Sequence, residues 1–95
     1  MLNLPQKEGF YVYILACVDH SFYIGWTKDL NKRYNAHVLG KGARYTKAHP
    51  PLACVYYEEH VSKQAAMKRE YELKQWRHKE KAALIQTFLK ENSEV

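Results

Sequence analysis

Apolar positions along this chain fall into two spacings. Phe10 to Cys17 and Phe22 to Trp26 are dense in aromatic and β-branched residues, the composition of strands. Val18-Asp19-His20-Ser21 separates them as a short polar turn. A third strand is expected over Leu52 to Tyr57, because His49-Pro50-Pro51 forces extended backbone into it. The remaining apolar residues follow helical spacing. Leu30 to Leu39 predicts a helix, capped by Thr27 or Asp29 and left through Gly40. Gly40 to Arg44 then reads as a flexible basic loop. Ser62 caps a long helix reaching about Arg77, with Ala66, Leu73 and Trp76 among its apolar members. A last helix carries Leu84, Ile85, Phe88 and Leu89 on one stripe. The order is therefore β-β-α-β-α-α. No repeat, low-complexity segment or long linker divides it, so residues 9–91 form one domain, with 1–8 as an N-terminal extension and 92–95 as a tail.

Hairpin register decides which residues share a face, because side chains alternate along a strand. A three-residue loop, Asp19-His20-Ser21, pairs Val18 with Phe22 and Cys17 with Tyr23. Tyr13, Leu15, Tyr23, Gly25 and Thr27 then share one face. Val12, Ile14, Ala16, Phe22, Ile24 and Trp26 share the other, which is wholly apolar. A two-residue loop would mix the two sets. The preferred register makes one face pure core and leaves two phenols beside a glycine on the other. Gly25 leaves room there for a ligand's backbone to approach.

Composition narrows the class. At 95 residues and 46% hydrophobic content the chain is one small globular domain rather than a disordered segment. No apolar run reaches membrane-span length. Met1 to Gly9, with Pro5, Lys7 and Glu8, lacks an apolar signal core, so a cytoplasmic chain is expected. Cys17 and Cys54 stand alone without a CxxC partner, which argues against zinc and redox motifs and for reduced core thiols, with one disulfide between them as the alternative. The net charge is +5, and its distribution matters more than its size. From Lys28 to Lys47 the basic residues Lys28, Lys32, Arg33, Lys41, Arg44 and Lys47 meet a single acid, Asp29. Such a run is either a solvated face or a surface for an anionic partner.

Three more residues carry chemistry. Arg33 and His37 are four apart on the first helix and project from one side, beside the stripe of Leu30 and Tyr34. Taken alone, Arg33 is a surface cation and His37 an exposed helix-end residue. Glu70 lies between Ala66, four before it, and Leu73, three after it, hence beside the buried face. A carboxylate there needs a charge partner or a metal. Lys74 offers the ordinary partner, an i,i+4 ion pair worth tenths of a kcal/mol.

The ordered set Tyr11-Val12-Tyr13, Tyr23-Ile24-Gly25, Arg33, His37 and Glu70 resembles the GIY-YIG nuclease family. The likeness runs from about Gly9 to Leu84 and is closest to the small stand-alone bacterial single-domain members. Two further stretches carry it: the loop Gly40-Lys41-Gly42-Ala43-Arg44-Tyr45-Thr46 and the helical run Arg69-Glu70-Tyr71-Glu72-Leu73-Lys74. Two positions depart from it: Trp26 stands where many catalytic members carry Lys, and Lys74 where many carry Asn or Gln.

The resemblance implies an α+β fold, a three-stranded antiparallel sheet flanked by about three helices. It also implies divalent-metal-dependent hydrolysis of DNA phosphodiesters, structure-specific or weakly specific, in repair or recombination. Glu70 would ligate one Mg²⁺ or Mn²⁺. Arg33 would hold the scissile phosphate. Tyr23 or His37 would act on the attacking water, with Tyr13 in support. Lys28, Lys32, Lys41, Arg44, Lys47 and Lys74 would contact the nucleic acid. The implied state is a monomer or weak dimer, with a protein partner as one source of specificity. The rival readings are a non-catalytic nucleic-acid-binding module on the same fold and a protein-binding adaptor exposing Phe88 and Leu89.

Overall fold

The computed structural model describes residues 2–93; Met1, Glu94 and Val95, the outermost parts of the expected extension and tail, lie outside them. The elements are β1 (Phe10–Cys17), β2 (Phe22–Thr27), α1 (Leu30–Val38), α2 (Arg44–Ala48), β3 (Pro51–His60), α3 (Lys63–Gln75) and α4 (His78–Glu91). The strands form one antiparallel sheet in the order β2-β1-β3, as the α+β expectation requires. β1 is thus central, and β2 and β3 are edges.

Local chemistry explains most boundaries. The Asp29 side chain accepts from Lys32 N at 3.1 Å and starts α1. Gly40 ends it at φ +76, with Gly40 N donating to His37 O at 3.0 Å and Lys41 N to Ala36 O at 2.8 Å. Ser62 caps α3 by accepting from Ala65 N at 3.1 Å.

Three expectations need correction. First, the basic segment after Gly40 is not all loop. Arg44–Ala48 forms α2, held by Lys47 N donating to Ala43 O at 3.1 Å and stopped before Pro50. Five residues are too few to show a period, and the flanking glycines hid it. Second, the hairpin loop has three residues but sits one earlier, at Val18-Asp19-His20. His20 N donates to Cys17 O at 3.0 Å, and Cys17 N donates to Ser21 O at 2.9 Å. His20 takes the left-handed conformation at φ +68 that closes such loops. Moving a loop by one residue slides the pairing by two, so parity survives. Tyr13 faces Gly25 and Leu15 faces Tyr23, and the two side-chain sets stay as expected.

Third, both faces of the sheet are core. On one, Val12, Ile14, Ile24 and Tyr56 pack against Ala66 and Leu73 of α3 and Ile85 of α4. Phe88 joins them, its ring centroid 4.9 Å from that of Tyr56 and 5.4 Å from that of Tyr57, so Leu84, Ile85 and Phe88 of the last helix's stripe are partnered while Leu89 stays exposed. On the other, Tyr11, Tyr13 and Leu15 of β1 and Cys54 of β3 cluster with Leu30 of α1. The tyrosine face is covered because a phenol buries its ring while its hydroxyl finds a partner. Cys17 and Cys54 are buried free thiols. Among the described residues no helix is long and apolar enough to cross a membrane.

α3 is also latched to β3. Arg69 Nε donates to both carboxylate oxygens of Glu58, at 3.1 and 3.2 Å, and its guanidinium also pairs with Glu72. Burial pushes the Glu58 carboxyl up, but hydrogen bonds from Tyr56, Arg69 and His60 outweigh it and hold the group below its ordinary range. The latch fixes the roll of α3 and hence where Glu70 points. Leu73 is wholly buried in the first core while Tyr71, two residues away, is 69% exposed. Leu73→Ala is expected to cost about 2–5 kcal/mol in urea unfolding, and Tyr71→Ala to stay within about 0.5 kcal/mol.

Candidate active site

β1 and β2 set the two phenols side by side. Tyr13 and Tyr23 lie on the α1 face with ring centroids 6.3 Å apart. Gly25, opposite Tyr13, has no space to spare: a Cβ there would sit 2.6 Å from the Tyr13 hydroxyl. The room expected beside Gly25 for a ligand is therefore filled by Tyr13 itself.

α1 brings His37 onto these rings, with centroids 5.7 Å from Tyr13 and 5.0 Å from Tyr23. His37 is wholly buried rather than exposed at the helix end. Its two nitrogens are both engaged, which is why burial is tolerated. Nε2 lies 2.7 Å from the Tyr13 hydroxyl, and Nδ1 lies 2.7 Å from Thr46 Oγ1 of α2. The Thr46 hydroxyl donates to Ala43 O at 3.2 Å. It must then accept from Nδ1–H, which leaves bare Nε2 to accept from the Tyr13 O–H. The result is a one-way chain of donors, Tyr13 to His37 to Thr46 to the Ala43 carbonyl. Gly42 closes over it; a Cβ there would lie 2.3 Å from His37 Nδ1.

Arg33, one turn before His37, donates from Nη2 to Gly42 O at 2.8 Å. Among the described residues no carboxylate lies within 4 Å of it, so its charge stays uncompensated. Burial pushes the Tyr13 phenol well up, Tyr23 adds to the rise, and the Arg33 charge opposes it. Burial holds His37 down at about 4, and the Arg33 charge pushes the same way. Both groups are neutral near pH 7.

The structure thus gathers Tyr13, Tyr23, Arg33 and His37, and it does not bring Glu70 into contact with them. Glu70 sits half-buried on α3, on the other side of β2, with Lys74 Nζ 3.6 Å from its carboxylate. The connection runs through Lys74, which lines a groove along β2 together with Tyr23. Among the described residues no three His, Cys, Asp or Glu side chains gather as a metal cage. A single carboxylate such as Glu70 still fits Mg²⁺, an ion that keeps several of its waters and is held by one or two carboxylates rather than by a full protein cage. The cations Lys28, Lys32, Lys41, Arg44, Lys47 and Lys74 are all exposed. Of these, Lys32 borders a shallow groove of about 180 Å³ with Thr27, Asp29, Arg33 and Ala36.

Reading the sequence gave no role to Thr46, Gly42 or Tyr45. Thr46 is 1% exposed, in a segment whose charges advertise solvent. The signal available was the pairing of Gly42 with Thr46 around Arg44, small residues set inside a basic run. The chain of donors makes a pH prediction. His37 is depressed from 6.5 to about 4 on folding, so the unfolded chain binds the extra proton between those values. Its contribution is complete above about pH 6.5 and falls away toward pH 4, by roughly 3 kcal/mol. Urea unfolding of the protein across pH 4–7 should show this acid limb, and His37→Gln should flatten it; equal limbs in the two proteins would refute the burial argument.

Known proteins resemble this chain in sequence and fold. The model of the GIY-YIG catalytic domain matches residues 9–83. A UPF0213 protein of Bacillus pumilus is 43% identical over 81 residues, covering 85% of this chain and 83% of the relative. A UPF0213 protein of Staphylococcus epidermidis is 46% identical over 79 residues, covering 83% and 96%. Among solved structures, the UPF0213 protein of Bacillus halodurans is 41% identical with a TM-score of 0.53, covering 82% of this chain and 83% of its own. A protein of E. faecalis, 32% identical, has a TM-score of 0.61 with 97% and 98% covered. The tyrosine pair on adjacent strands, the arginine and histidine a turn apart and a match across most of the length agree, and the chain belongs to the GIY-YIG family.

Proposed function

We propose that the protein is a divalent-metal-dependent nuclease that hydrolyses DNA phosphodiester bonds. One observation carries the reading: Arg33 is an uncompensated guanidinium held against two neutral, buried partners, beside a phenol that reaches the surface. Such a constellation favours a phosphate anion. Arg33 offers its remaining donors to the scissile phosphate. His37 has no exposed surface, and its basic nitrogen is taken by Tyr13, so the pair orients neighbours rather than meeting water. Tyr23 is then the group that orients the attacking water. The water oxygen bonds phosphorus as the bond to the leaving sugar oxygen breaks; that oxygen takes a proton from solvent, and the water's proton leaves past Tyr23. Glu70 would hold Mg²⁺ or Mn²⁺, which when bound neutralises charge on the phosphate and leaving oxygen.

One observation favours the non-catalytic alternative: Glu70 already has Lys74 as a partner. Lys74 is half exposed, so exchanging it for a metal costs little. Purified protein, Mg²⁺ or Mn²⁺, and branched, nicked, single-stranded and duplex DNA decide between them. Glu70→Gln and Arg33→Ala should each lower cleavage by at least about a hundredfold. Cleavage that survives Glu70→Gln would sink the assignment, and salt-sensitive binding without products would favour the binding module. With about four cations on phosphates, duplex binding should fall with a log–log salt slope of about −3 to −4.

A further inference from the structure

The free edge of β2 carries a groove that the cleavage chemistry touches only through Tyr23. The groove holds about 230 Å³ and is lined by Phe22, Tyr23, Ile24, Tyr45, Lys74 and Lys81. Its cations come from two helices, Lys74 from α3 and Lys81 from α4. Among the described residues Lys81 has no carboxylate within 4 Å. Its aromatic wall is pre-set. Tyr45 lies nearly parallel to Tyr23, 28° between planes and 5.9 Å between centroids, and 38% of its surface stays exposed. His49 stacks on Tyr45 at 4.2 Å, and Asp19 at the hairpin tip holds His49 Nδ1 at 2.5 Å. Hairpin, α2 and the segment before β3 thus fix the ring before any ligand arrives, which removes an ordering cost from binding.

We propose that this groove binds one unstacked nucleotide next to the scissile phosphate, its base against Tyr45 and its phosphates on Lys74 and Lys81, while Phe22, already stacked on His78, forms the apolar floor. The inference rests on the nucleic-acid reading above and adds a substrate class to it: DNA with an unpaired nucleotide beside the cut. The groove is smaller than the roughly 300–1,000 Å³ of drug-sized pockets, and suits one ring system rather than a larger ligand. Aromatic faces beside lysines are the pattern of single-strand binding, where stacking tolerates any base and cations track the backbone. A nucleotide inside a duplex keeps its base in the stack and presents nothing to Tyr45.

The test separates base from backbone. Fluorescence anisotropy in EDTA compares two short single-stranded DNA oligonucleotides of equal length and charge, one with bases and one abasic throughout. The protein should bind the first about tenfold tighter. Tyr45→Ala should erase that preference, and Tyr45→Phe should keep it. Lys81→Gln should weaken both and reduce the magnitude of the salt slope by about 0.7. Equal binding of the two oligonucleotides by the unaltered protein would overturn the subsite while leaving the nucleic-acid reading intact. A preference that persists in Tyr45→Ala would overturn it as well. Failure to bind either oligonucleotide would overturn both readings.

Discussion

A neutral histidine sealed from water holds the candidate-site half of this protein together. His37 accepts from Tyr13 on the central strand and donates to Thr46 on α2, so one imidazole joins sheet, first helix and basic segment. A buried polar ring is tolerable only when both nitrogens are satisfied, and any one missing partner leaves an exposed debt of a lost hydrogen bond inside the core. The constraint propagates. Gly42 must lack a side chain to lie over His37, and Gly25 must lack one to lie under Tyr13. Arg33 then reaches the Gly42 carbonyl, which places its charge beside the ring and helps to keep it neutral.

The arrangement divides the site by solvent access. Tyr13 and His37 are interior groups with fixed protonation, whereas Tyr23, Arg33 and the surrounding lysines meet solvent. Glu70 stands apart on the opposite face of the sheet, and its orientation depends on a separate anchor, the Arg69–Glu58 pair between α3 and β3. A substrate touching both Arg33 and Glu70 must therefore pass over the edge of β2, which has no neighbouring strand in its way. An edge strand usually needs protection against pairing with other chains. Here Lys74 and Lys81, in the groove beside β2, put positive charge along that edge while leaving it open.

Much of this was legible in the sequence, and the failures have physical causes. Strand composition located Phe10–Cys17, and capping chemistry at Asp29 and Ser62 located two helix starts, because those signals are local. The face assignment survived an error in loop position because parity, not position, sorts side chains. Helical spacing put Glu70 beside Ala66 and Leu73, both wholly buried. The second core was hidden because tyrosines read as polar on a strand face, and only tertiary packing reveals that α1 covers them. The sequence singled out His37 as a site residue but not its burial, which was hidden together with that of Thr46 because each side chain is buried against the other. α2 was too short to declare itself.

The sealed chain also bears on how such proteins change over evolutionary time. Tyr13, His37, Thr46, Gly25 and Gly42 are packing residues as much as site residues, so selection for folding alone retains them. Arg33 and Glu70 carry a smaller structural obligation, one hydrogen bond to Gly42 O and one ion pair with Lys74. A lineage that stopped cutting nucleic acid would keep the tyrosine and histidine signature and lose the guanidinium and the carboxylate first. Within this fold, the solvent-facing charges are the record of use, and the buried motif is the record of ancestry.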